Sequence, residues 1–208
     1  LPATALLPKK NCAKTAGHSA MAPFLFWLLC AIFTLASVIM TAISVQLITL
    51  LQASGYSLGA ALAVSAVLGP CQVASRLVDI VFKRAHPIWT AFFSTGLVAL
   101  GLLTLALLPH FALLSMLLYG AGNGLRAIVR GTLPLAMVKP EEYALVVGRM
   151  ARPALIGQAI TPLVCGYVYQ SMGPQATIWL LCILALINLL LACVLKRVLK
   201  SHTAPAHV

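Results

Sequence analysis

The sequence predicts an all-α membrane protein of six transmembrane helices, and three observations carry that prediction. The first is composition. Of 208 residues, 62% are apolar and only 8% are charged, where soluble domains carry about 25% charged residues. Mean hydropathy is +1.02. A soluble domain of this size must turn much of its surface to water, and this chain lacks the polar residues to cover it. The second is the spacing of apolar runs, and the third is the placement of charge between them.

A membrane-crossing helix needs about 20 mainly apolar residues. Six runs meet that requirement: 22–50, 57–75, 87–108, 111–129, 153–172 and 174–195. Together they define a bundle over 22–195, preceded by a linker over 1–21 and followed by a tail over 196–208. The opening segment is rich in Pro, Ala and Lys and has no early hydrophobic stretch, so it does not read as a secretory signal. A chain that starts with Leu1 in such a linker is expected to be cut from a longer one. The segment 131–152 is expected to be a long connection, because Gly131, Pro134 and Pro140 oppose one continuous helix.

The gaps after the first, third and fifth runs carry no Lys or Arg. Of the 14 cationic residues, 13 fall before the first run, after the sixth, or in the gaps after the second and fourth, and Arg126 interrupts the fourth run near the end that adjoins such a gap. With six alternating spans those four segments share one side, and the positive-inside rule makes that side cytoplasmic. The acids Asp79, Glu141 and Glu142 fall there too. The net charge of +11 is therefore a topology signal. No nucleic-acid partner is expected, since aromatic and basic residues do not interleave.

Several residues inside the runs stand out. Gly55/Gly59 and Gly120/Gly124 form GxxxG pairs, which signal close helix contact. Gly69 and Pro70 in the second run and Pro162 in the fifth are helix-break candidates. They occupy the middle run of each three-run set, a hint of an inverted repeat around a mid-membrane site. Gln46, Gln72, Asn123, Gln158, Thr161 and Asn188 are polar groups at membrane depth. Such groups either line a path or bond a neighbouring helix. Gln72, Asn123 and Gln158 are the better cavity candidates because each lies near a Gly or Pro break, and Tyr119 stands one turn from Asn123. Arg76 and Arg126, at the cytoplasmic ends of runs, either snorkel to the headgroups or serve as a cationic gate or an anion contact.

No enzyme, metal or cofactor chemistry is expected. The five histidines all lie outside the runs, so an intramembrane serine protease lacks its base and a haem lacks ligands. No two of the six cysteines are spaced C-x-x-C, and five lie in apolar stretches as small buried residues. The Gly120–Gly124 stretch follows an apolar helix rather than a strand, which excludes a nucleotide loop. A channel would need a filter motif or a charged pore lining.

Six spans, a basic linker, a cationic loop after the second span, the run Gly69-Pro70-Cys71-Gln72-Val73-Ala74-Ser75-Arg76 and the run from Tyr119 to Pro134 resemble the C-terminal half of major facilitator superfamily carriers. The loop with Arg76, Asp79, Lys83 and Arg84 is similar in composition to the family's gating loop, without its glycine-led pattern. The resemblance implies half of a twelve-span fold, built as two inverted three-helix repeats, with spans one and four (Gln46, Tyr119, Asn123) bordering a central cavity and spans two and five (Gln72, Gln158) shaping it. It implies a secondary transporter that moves a small solute by alternating access in a bacterial inner membrane, with both ends cytoplasmic. Its partners would be the bilayer, a small-molecule substrate and an N-terminal six-span half. The rival is a self-contained six-span half-transporter that works as a dimer.

Overall fold

The computed structural model describes residues 23–82 and 87–202. The expected linker over 1–21, the cations Lys83 and Arg84, Cys12 and the last residues of the tail lie outside the described residues.

The described chain is helical: α1 (Pro23–Ala53), α2 (Leu58–Ala66), α3 (Leu68–Phe82), α4 (Pro87–Leu107), α5 (Ala112–Leu135) and α6 (Pro140–His202). Among the described residues five helical stretches are long and apolar enough to cross a membrane, with α2 and α3 forming one of them as Leu58–Ile80. The kink between α2 and α3 falls at Val67, whose amide bonds Val64 O at 3.3 Å. Its origin is Pro70, which has no N–H for the carbonyl four residues earlier. The polypeptide stays helical through Pro162 and instead leaves helical geometry at Gly173, with φ 85° and ψ 176°. That conformation is open only to glycine, and Pro174 then starts the next helical run with its φ already set.

The 63 residues of α6 would stretch about 95 Å as one rod. They do not form a rod, because the chain doubles back at Gly173. Val146 and Met150 of the first arm (140–172) share an apolar cluster with Leu195 of the second (174–202). The expected connection over 131–152 is also mostly helix. Gly131 and Pro134 sit inside α5 and Pro140 opens α6, so the non-helical link shrinks to 136–139. Proline is tolerated at the first turn of a helix, where its missing N–H has no partner to lose.

Contacts between loops orient the bundle. The Tyr56 hydroxyl, in the α1–α2 loop, reaches the carbonyls of Pro109 and His110 at 2.9 and 2.8 Å. Two charge-free connections therefore sit at one end. At the other end Thr90 donates to Asp79 at 3.2 Å, and the Lys196 ammonium lies 3.6 Å from the Trp89 ring centre. Apolar packing is split accordingly. One cluster at the charge-free end joins Leu50, Leu51, Ala61, Leu105, Ala112 and Ile178. The other, at the charged end, joins Leu29, Ile88, Leu133, Met150 and Leu195. Large apolar side chains face outward all around, Leu163 at 78% exposure among them. In water such a surface would aggregate, whereas hydrocarbon accepts it.

The helices meet through glycine. A Cβ built on Gly122 would lie 2.7 Å from Ser94 O, and one on Gly101 would lie 2.7 Å from Tyr119 N. Hydroxyls bridge the same α4–α5 seam, Ser94 to Gly122 O at 2.7 Å and Ser115 to Gly101 O at 2.6 Å. On another face of α5, Gly120 and Gly124 seat α3 at Cys71, Gln72 and Ser75. Gly55 and Gly59, by contrast, have nothing within 4 Å, and Gly55 serves a turn at φ 94°. The GxxxG spacing there reflects the α1–α2 turn rather than helix contact.

Gly122→Ala and Gly101→Ala should each lower the thermal unfolding midpoint in detergent, at a cost of about 1–3 kcal/mol from overpacking against backbone. Gly148→Ala and Gly166→Ala, where a Cβ meets nothing, should leave the midpoint unchanged or raise it by up to about 1 kcal/mol of helix propensity.

Candidate functional site

Between the two apolar clusters runs a belt of polar side chains at mid-depth. Residues 34–38 of α1 lie between cluster members on either side, as do 92–98 of α4, 120–124 of α5, 155–164 of α6 and 186–191 of its second arm. These intervals hold Thr34 and Ser37, Ser94 and Thr95, Asn123, Gln158 and Thr161, and Asn188, with Arg126 one turn beyond Asn123. Thr95 and Thr161 return their hydroxyls to their own helices, Thr95 to Ala91 O at 3.1 Å and Thr161 to Gly157 O at 2.6 Å.

On α5, Tyr119, Asn123 and Arg126 follow one another at i, i+4 and i+7, which puts them on one face. The glycine contacts of α5 with α3 and α4 turn that face inward. A cavity forms there among α1, α4, α5 and the second arm of α6. Its wall includes Phe33, Ile39, Thr95, Val98, Tyr119, Asn123, Arg126 and Asn188. Its free space is about 20 Å³, enough for one water-sized occupant.

Arg126 does not snorkel. Its Nε donates to Asn123 Oδ1 at 2.9 Å, Nη1 to Ser37 Oγ at 3.4 Å and Nη2 to Met40 Sδ at 2.7 Å. All three acceptors are neutral. The chain has only three acids. Asp79 accepts from Thr90, and Glu141 and Glu142 open α6 at its N-terminus. Among the described residues Arg126 thus has no carboxylate partner. Asn188, 3% exposed, leaves its Oδ1 without a partner in the same cavity wall.

The other sequence candidates fall elsewhere. Gln46 is buried on α1 beside the charge-free-end cluster, with Oε1 unpartnered. Gln72 is half-buried on α3 and backs onto Gly124. Gln158 is half-buried on the first arm of α6, next to Gly157, whose Cβ position touches Thr34 and Val38 of α1. Arg76 is exposed on α3. Gly69 and Pro70 stand in the first turn of α3, and Pro162 lies exposed within helical α6. Sequence reasoning passed over Ser37, Met40, Ser94 and Thr95. A hydroxyl or thioether in an apolar run carries no mark of the face it will take, and helical hydroxyls commonly bond their own turn.

Asn188→Leu should stabilise the bundle by about 1 kcal/mol, because it removes a buried polar group that has no partner. A higher unfolding midpoint in detergent would bear this out, and a lower one would mean that Asn188 is satisfied within the fold.

No curated protein matches the chain. A family model described as Major Facilitator Superfamily matches residues 87–207, which is more than half of the sequence. That stretch contains α4, α5 and α6 and so includes the belt residues Thr95, Asn123, Arg126 and Asn188. An all-helical bundle with membrane-length apolar helices and a polar belt at mid-depth agrees with that match, and the chain belongs to the Major Facilitator Superfamily of membrane transporters.

Proposed function

We propose that the chain is a six-span unit of a secondary transporter that moves a small solute by alternating access. The observation that carries the proposal is the polar belt held between two apolar clusters. A bundle built only to fill a membrane has no need of Arg, Asn and Gln side chains at its middle, where each costs free energy. In a carrier, a mid-depth site that opens to either side in turn is what transport requires.

The six-span count is supported by the reversal at Gly173, which lets each arm of α6 cross the membrane separately. A cytoplasmic position for both ends is supported by the one-sided charge. Two inverted three-helix repeats would pair α1, α2–α3 and α4 with α5 and the two arms of α6. The α2–α3 stretch packs mainly on α5, and its Leu62, Val73, Leu77 and Ile80 stand exposed. That face suits a second six-span unit, either an N-terminal half or another copy of this chain. The solute path then runs between the two units, bordered by Gln72 and Gln158.

Cysteine labelling tests this without knowledge of the solute. In a background without native cysteines, Gln175→Cys should react with an impermeant thiol reagent from outside intact cells. Arg149→Cys and Arg197→Cys should react only in inverted vesicles. Gln158→Cys should react from both sides, since an alternating site faces each in turn. If Gln175→Cys and Arg197→Cys label from one side, the six-span topology fails. If Gln158→Cys labels from one side only, alternating access fails.

A further inference from the structure

We infer that the cavity walled by Arg126 and Asn188 is a binding site for one small anionic group, either a halide ion or the carboxylate end of a transported solute. Three observations converge on it. First, the Arg126 guanidinium has five N–H donors and spends three of them, on Asn123, Ser37 and Met40. Two remain without an acceptor among the described residues, beside a cavity rather than at the bundle surface. Second, the charge is uncompensated. No carboxylate among the described residues meets it, and a cation at membrane depth without a counter-charge is costly. An anion in the cavity would lower that cost through charge-assisted hydrogen bonds.

Third, Asn188 is buried and its side-chain oxygen has no hydrogen-bond partner among the described residues. It sits on α6 while Arg126 sits on α5, so the two reach the cavity from different helices. The amide can present N–H₂ to an anion, since its oxygen and nitrogen are interchangeable by rotation. Tyr119 adds a hydroxyl in the same wall. The hydroxyls of Ser94 and Thr95 are already committed, to Gly122 O and Ala91 O. The groups left over are therefore all capable of donating. Size sets the rest. About 20 Å³ of free space takes one small ion or one carboxylate head, with the rest of any solute outside the cavity.

The inference deepens the carrier reading by giving the site a charge preference, and its test does not depend on transport. The protein would be placed in lipid nanodiscs, and its unfolding midpoint followed in sodium chloride, formate, butyrate or gluconate at constant ionic strength. Chloride or formate should raise the midpoint in a saturable way if a free ion is the ligand. Butyrate alone should do so if the ligand is the end of a solute. Gluconate should do neither. Arg126→Gln should abolish the response, and Asn188→Leu should weaken apparent affinity by about tenfold or more, the loss expected of one hydrogen bond to a charge. Arg126→Lys, which keeps the charge, should retain a weaker response and guards against misfolding of the Gln variant. Arg152→Gln, at an exposed position, should behave as wild type. Equal midpoints in all four salts, or a full response in folded Arg126→Gln, would overturn the inference. Anion binding without two-sided labelling at Gln158→Cys would overturn the carrier reading alone.

Discussion

Inside a bilayer an apolar helix gains nothing by hiding from lipid, so helices associate only where they fit closely. In this bundle the fit is concentrated on α5. Gly122 lets α4 approach until Ser94 touches the backbone, and Gly120 with Gly124 does the same for α3 on another side. Once both neighbours are seated, the rotation of α5 is fixed. The residues between and beyond those glycines, Tyr119, Asn123 and Arg126, have one direction left, toward α1 and the second arm of α6. Polar groups in the middle of the membrane are thus aimed by glycines that carry no chemistry themselves.

The two apolar clusters work with that seam. Each closes one end of the bundle and draws members from α1, α4, α5 and α6. The belt between them is held from above and below, which is how a poorly packed, partly unsatisfied layer persists in an ordered structure. The reversal at Gly173 is part of the same arrangement. It brings the second arm back alongside α1 and α4, so that Leu195 returns to the cluster containing Met150 and Asn188 arrives at the level of Asn123 and Arg126. A straight α6 would place Asn188 far outside the bundle.

Much of this was legible in the sequence, for a physical reason. Hydropathy and one-sided charge are properties of whole segments, and the bilayer reads whole segments. The six apolar runs, the charge-free gaps and the turn near Gly173-Pro174 therefore followed from composition and spacing. Facing did not. Gly55 and Gly59 have the same spacing as Gly120 and Gly124, yet only the second pair meets a neighbour, because contact depends on which helix lies opposite. Pro162 looked like a break, but a helix absorbs one proline when surrounding contacts hold it. The actual break needed a positive φ, which only glycine at 173 supplied cheaply. Arg126, from its position near a run's end, reads either as a residue that reaches the headgroups or as a cationic gate or anion contact, and local pattern does not decide between them. Its inward turn depends on Asn123 one turn back and on Ser37 and Met40 of another helix, a long-range pairing that local pattern does not contain.

Cost separates the belt from ordinary membrane packing. A guanidinium at membrane depth is unfavourable by about 2.5–3.5 kcal/mol on insertion scales, and an unpartnered buried amide adds about 1–3 kcal/mol. A bundle that needed only stability would exchange Arg126 and Asn188 for leucine and lose nothing in its clusters, since neither side chain belongs to them. Both are instead placed on different helices, face one cavity, and keep free the very groups that the rest of the fold does not use. The Ser94 and Thr95 hydroxyls in the same wall are satisfied by backbone carbonyls, so the fold does satisfy polar groups there where nothing else has to bind. The incomplete pairing at Arg126 and Asn188 meets in one cavity, whereas the unpartnered oxygens of Thr34 and Gln46 belong to residues outside its wall. It falls at the level where both apolar clusters end, which is where a helix bundle can open without losing either one.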